Sequence, residues 1–128
     1  MPKILPTAGY PWPLYRVDHA ALLRDYRGAA GTRYRLGAKA SPTVPPDKLG
    51  AIDCSGFVRY LLRRQGVPIV DGSQAQREWC EAEGLKRSTP DALSLHDDVL
   101  RLAVLPVTAS RRVGHVVLVL NGQTIESH

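Results

Sequence analysis

The chain has only two cysteines, Cys54 and Cys80. Two cysteines do not make a disulfide framework, and no C-x-x-C pair suggests zinc; no metal or organic cofactor is expected. Long apolar runs are missing as well, and the longest falls far short of a membrane span. Residues 1–17 are broken by prolines and hold no continuous apolar segment, so no secretory signal is read there. There is no internal repeat and no low-complexity tract. Aromatics make up only 6% of the residues, and the basic residues are scattered in "RRQ", "KRST" and "SRRVG". Without an Arg/Lys stripe interleaved with aromatics, a nucleic-acid partner is not expected. The net charge of +5 still favours polyanions, cell-wall polymers among them.

What is present is ordinary for a globular chain. Its 128 residues, 44% hydrophobic and 23% charged, are enough for one domain over 1–128 with a single core, expected to be a monomer. Residues 1–15 read as an extended, proline-rich arm. "VDHAALLRDYRG" (17–28) reads as a helix capped by Asp18 and ended by Gly28, with Ala21, Leu22 and Tyr26 on its apolar face. Residues 31–50, rich in glycine and proline, read as largely loop. The best-punctuated helix follows. Asp53 is its N-cap, Gly66 its C′ residue, and Pro68 lies just beyond. Phe57, Val58, Leu61 and Leu62 recur there at helical spacing, leaving Arg59, Arg63 and Arg64 to face solvent or partners. A third helix is expected from Ser73 to Glu83, and a short helix or turn over 88–98. From Val99 the pattern turns to strands. "VLRLAVLPV" and "VGHVVLVL" are separated by "TASRR", and Asn121-Gly122 marks a two-residue hairpin turn. Helices first and an antiparallel sheet after make an α+β class.

The segment "AIDCSGFVRY" puts a thiol where a buried structural cysteine is not expected. Cys54 stands at the first turn of a helix, beside a charge. Helix N-termini favour negative charge, and a thiolate is one. Thiols at such positions or beside a cationic histidine titrate well below the free value of about 8.5. Ser55 and Gly56 are small enough to admit a substrate backbone. The Cys54 N–H is placed to help hold an oxyanion. Cys80, next to Trp79 in the third helix, reads as a packing residue.

A nucleophilic cysteine needs an imidazole within reach, and the imidazole an orienting group. His19 and His96 read as surface residues. His115 differs because it lies in an apolar strand, with Val113, Val117 and Val119 on its face. With Asn121-Gly122 as the loop, Leu120 pairs with Gln123. Glu126 then becomes the diagonal neighbour of His115, and His128 stands directly opposite it. Either can orient the ring.

"DCSGFV" and "GHVVLVLNGQTIESH" resemble the two signature segments of the NlpC-type cell-wall peptidases, papain-like cysteine enzymes of α+β fold. The resemblance implies that the nucleophile helix packs on a C-terminal antiparallel sheet. It also implies that Cys54, His115 and a third polar residue form the catalytic set. "GTRYRLGA" resembles the family's glycine-tyrosine segment and puts Tyr34 at the mouth of the site; "DGSQAQREW" resembles the segment after the nucleophile helix. "IESH" departs from the usual pattern, with Glu126 where a histidine is common and His128 two residues later. The "PGDL" lead-in before His115 is replaced by "DDVLRLAVLPV", and relatives normally carry further strands after this point.

The resemblance implies a peptidoglycan stem peptide as substrate, cut at the bond from γ-D-glutamate to a diamino acid. Asp53 and Ser55 would receive a free amine, with Tyr34 and Gly114 also on the substrate side. A thiol acyltransferase or deamidase on the same scaffold, and a silent wall-binding module, remain as alternatives. Synthesis without a signal peptide points to cytoplasmic production with action at the wall, as in a phage lysis or tail enzyme or a delivered effector.

Overall fold

The computed structural model describes residues 3–4, 14–15, 17–85, 90–105 and 114–126. Local punctuation decides the helices. In α1 (His19–Gly28) the Asp18 side chain accepts the Ala21 N–H at 3.1 Å. Leu22 is fully buried on its inner face, and the Tyr26 ring tilts against Phe57 at 6.0 Å. Helix α2 (Cys54–Arg64) starts at the Asp53 cap and ends before Gly66, whose φ of 80° is the left-handed conformation that glycine tolerates best. Helix α3 (Ser73–Ala82) starts after Gly72 without a side-chain cap. The expected turn over 88–98 contains a 3-10 turn at Pro90–Ser94.

Two short pairings add detail. Residues 31–50 are largely loop, as expected. Strand β3 (Arg33–Tyr34) pairs in parallel with β4 (Ala51–Ile52), and a 3-10 turn covers Pro46–Lys48. In the N-terminal arm β1 (Lys3–Ile4) and β2 (Leu14–Tyr15) pair antiparallel. Two-residue strands are too short to show alternation, so periodicity cannot find them.

The C-terminal sheet is β5 (Arg101–Leu105), β6 (His115–Leu120) and β7 (Gln123–Ile125), antiparallel with β6 in the centre. Leu120 pairs with Gln123, the register that the Asn121-Gly122 turn implies. Both turn residues have positive φ, 50° and 81°, as a two-residue hairpin loop demands. Asn121 is further locked to Asp98: its Oδ1 accepts the Asp98 N–H and its Nδ2 donates to Asp98 Oδ1, each at 2.9 Å. The "TASRR" connection, Val113 and His128 lie outside the described residues.

The core joins α2 to the sheet. Phe57, Val58, Leu61 and Leu62 pack in one cluster with Val116, Leu118, Leu120 and Ile125. Strand β6 therefore gives its even positions to the core, while His115 and Val117 stay half-buried. Two arginines of α2 find partners within the chain. Arg63 Nε donates to the Ile69 carbonyl at 2.8 Å, and Arg64 pairs with Asp25 at 2.9 Å and donates to the Pro42 carbonyl. No helix among the described residues is long and apolar enough to cross a membrane.

Candidate active site

Strand β4 runs directly into the Asp53 cap, and its pairing with β3 sets Tyr34 opposite Ile52, two residues before Cys54. The Asp53 N–H donates to the Ala38 carbonyl at 3.0 Å, tying the chain after β3 to the helix start. This packing delivers Tyr34 to the thiol. The Tyr34 phenol is raised above its usual range, first by burial, then by the adjacent Cys54 and Asp53 and by a hydrogen bond with Cys54. It therefore stays protonated near neutral pH and is a donor beside the sulfur.

Cys54 is the first residue of α2 and only 5% exposed. Its Sγ lies 3.9 Å from the Gly114 carbonyl oxygen, which brings the start of β6 against the first turn of α2. His115 follows Gly114 directly. Its Nε2 is 3.7 Å from Glu126 Oε1, an approach that becomes an ion pair when the ring is protonated. Cys54, Tyr34, Gly114, His115 and Glu126 thus lie in one region around the α2 N-terminus and the β6–β7 end. His128 lies outside the described residues. His19 is half-buried on α1 and His96 is exposed. Beside Glu126 a cleft of about 420 Å³ is lined by Tyr26, Ala29, Thr32, Ile52 and Phe57.

Asp53 is 4% exposed. Its Oδ1 accepts the Gly56 N–H at 2.7 Å, and its Oδ2 accepts the Gly37 N–H at 3.1 Å. The family resemblance implies Asp53 and Ser55 as receivers of a substrate amine. Here the ammonium on them is that of Lys39, 2.8 Å from Asp53 Oδ1 and 3.1 Å from Ser55 Oγ. Lys39 also pairs with Asp71 at 2.9 Å. Burial works against the Lys39 charge, but Asp53 and Asp71 outweigh it and hold the ammonium above its ordinary range.

Gly56 also makes room on the other side of the turn. A Cβ there would sit 2.7 Å from Asp53 Oδ1 and 3.1 Å from the Ala38 carbonyl, so its smallness makes room for the Asp53 cluster. Gln76, fully buried on α3, donates through Nε2 to the Ser55 carbonyl at 2.9 Å and the Val70 carbonyl at 3.0 Å. Sequence reasoning missed Lys39, Asp71 and Gln76 as parts of this region. Only the resemblance of "DGSQAQREW" pointed near Gln76. Cys80 is partly buried, and burial, aided by the charge of Glu81, pushes its thiol up to about 11. Among the described residues, no group of three or more His, Cys, Asp or Glu side chains is placed to hold a metal ion.

A helix opened by a cysteine, packed on an antiparallel sheet whose central strand opens with a histidine, can be compared with known families. The model of the NlpC/P60 family matches residues 31–128. The chain belongs to the NlpC/P60 family. Comparison with curated proteins and with solved structures gave no match. The architecture is the α+β, papain-like fold of NlpC/P60 proteins, and the activity general to that family is that of peptidases and amidases acting on peptidoglycan.

Proposed function

We propose that this NlpC/P60 chain is a cysteine peptidase or amidase that cleaves an amide in the peptidoglycan stem peptide, at the bond from γ-D-glutamate to a diamino acid. The observation that carries this reading is Cys54 at the first turn of α2, with Tyr34 against it and Gly114–His115 beside it. His115 takes the thiol proton and the thiolate attacks the amide carbon. The oxyanion is held by the Cys54 N–H, which the first helical turn leaves without an intrahelical partner, and by the Tyr34 hydroxyl. His115 then gives the proton to the leaving amine as the C–N bond breaks. Water, deprotonated by the same ring, releases the acyl group as a carboxylate and restores the thiol. Glu126, close to Nε2, holds the ring and its transient charge.

The test is digestion of purified peptidoglycan sacculi by the intact protein and by Cys54→Ala, with products read by liquid chromatography and mass spectrometry. New muropeptides that have gained one water, formed only by the intact protein, are expected. Products carrying an acceptor in place of water would instead make the chain an acyltransferase. Equal products from Cys54→Ala, or none from the intact protein, would overturn the reading.

A further inference from the structure

The strongest built feature beside the nucleophile is a charge cluster that the hydrolysis does not use. Asp53 presents about four acceptor positions. Gly56 N–H and Lys39 Nζ take Oδ1, at 2.7 and 2.8 Å. Gly37 N–H takes Oδ2 at 3.1 Å, and Lys39 Nζ lies 2.7 Å from the same oxygen. The Asp53 side chain is 6% exposed and the Lys39 ammonium lies against both of its oxygens, so an incoming donor meets Lys39 first. Lys39 is held in turn: its ammonium donates to Asp53 Oδ1 and Ser55 Oγ and lies 2.9 Å from Asp71 Oδ1 as an ion pair. A substrate ammonium reaches Asp53 only by displacing the lysine that the chain itself supplies.

We propose that Lys39 is a specificity-determining residue, sealing the Asp53–Ser55 acceptor pair so that the site accepts acyl donors whether or not they carry a free amine next to the scissile bond. Stems still acylated at their N-terminal side, as in an intact wall strand, then remain substrates. The assignment rests on Cys54 being the nucleophile, as in the reading above. It implies the converse for a variant without the ammonium. Asp53 would keep its two backbone N–H donors but lose the ammonium that covers it, and removing one partner of a buried ion pair leaves the other uncompensated. A substrate amine then takes the place of Lys39.

Two measurements on the full chain test this. The first compares kcat/KM for a γ-D-glutamyl stem peptide with a free N-terminal amine and for its N-acetyl form. The intact protein is expected to treat the two within threefold, and Lys39→Met to prefer the free amine at least tenfold. The second needs no substrate. The rates at which 2-aminoethyl methanethiosulfonate (cationic) and methyl methanethiosulfonate (neutral) modify Cys54 are read by peptide mapping. Lys39→Met should raise the cationic-to-neutral ratio at least tenfold, and Lys39→Arg should leave it unchanged. A tenfold or greater preference of the intact protein for the free amine, lost in Asp71→Asn, overturns the assignment and makes Asp71 the receiver. An unchanged reagent ratio in Lys39→Met overturns it too. A shifted ratio with neither peptide cut removes the peptidase reading and leaves Lys39 in its place. A Cys54 that neither reagent modifies overturns both.

Discussion

Gly56 shows how a single hydrogen atom in place of a methyl group decides the first turn of α2. A methyl at that position would meet Asp53 Oδ1 at 2.7 Å, Lys39 Cδ at 3.0 Å and the Ala38 carbonyl at 3.1 Å. The Lys39 chain can swing away. The carbonyl cannot, because it accepts the Asp53 N–H at 3.0 Å. Gly56→Ala is therefore expected to cost about 1–3 kcal/mol, the range for overpacking a well-filled interior, read as a lower urea midpoint. A variant within about 0.5 kcal/mol of the parent, the range of ordinary surface substitutions, would show that the turn relaxes freely. The orienting group of His115 is decided at the same scale. Glu126 Oε1 lies 3.7 Å from Nε2. If Glu126 holds the ring, Glu126→Ala lowers kcat by about 10²-fold or more and His128→Ala changes it little, since an orienting carboxylate acts on the general base rather than on the substrate. The reverse ranking of kcat values would give the role to His128.

At the scale of elements, the turn that carries the nucleophile is held from behind by α3. Gln76 donates to the Ser55 carbonyl on α2 and to the Val70 carbonyl ahead of α3. Gln76→Leu keeps most of the volume and deletes both bonds in a fully buried place. The expected cost is about 1–3 kcal/mol by denaturant unfolding, the penalty for leaving buried acceptors unmet. Slower alkylation of Cys54 should accompany it, because the first turn loses its brace; an unchanged alkylation rate would mean that Gln76 supports the fold alone. This element also shows what a sequence makes legible. Asp53, Gly66, Pro68 and the spacing of Phe57, Val58, Leu61 and Leu62 are local signals, and they bound and orient α2. The Asn121-Gly122 turn fixes the β6–β7 register, and with it the approach of Glu126 to His115. Lys39, Asp71 and Gln76 reach the site across 14 or more residues of sequence, or from another helix, and no local period encodes such contacts. Tyr34 was read only through the resemblance. Its physical cause, the parallel pairing of β3 with β4, is a long-range contact two residues long.

For the molecule as a whole, the region matched by the family model begins at residue 31, yet the chain before it is built into the same body. Leu22 of α1 is fully buried in the common core, and Tyr26 packs on Phe57. Tyr15, from the N-terminal arm, stacks on Trp79 of α3 at 5.5 Å and donates its hydroxyl to Glu83. Burial, then the hydrogen bond and charge of Glu83, push the Tyr15 phenol up to about 12. An unfolded tyrosine titrates near 10. Between those values the folded chain keeps a proton that the unfolded chain has lost, so stability falls as pH rises. The contribution is fully present below about pH 10 and is lost as pH climbs through about 12. Tyr15→Phe removes the hydroxyl and keeps the ring on Trp79. Near pH 8 the variant should be less stable by about 1 kcal/mol, the worth of one partly exposed hydrogen bond. The difference from the parent should shrink steadily above pH 10 and vanish or reverse by about pH 12, in thermal unfolding followed by circular dichroism. Lys39 and the other tyrosines titrate in both proteins, so only the gap between the two curves belongs to Tyr15. A gap that stays constant from pH 8 to pH 12 would show that Tyr15 anchors the arm through its ring alone.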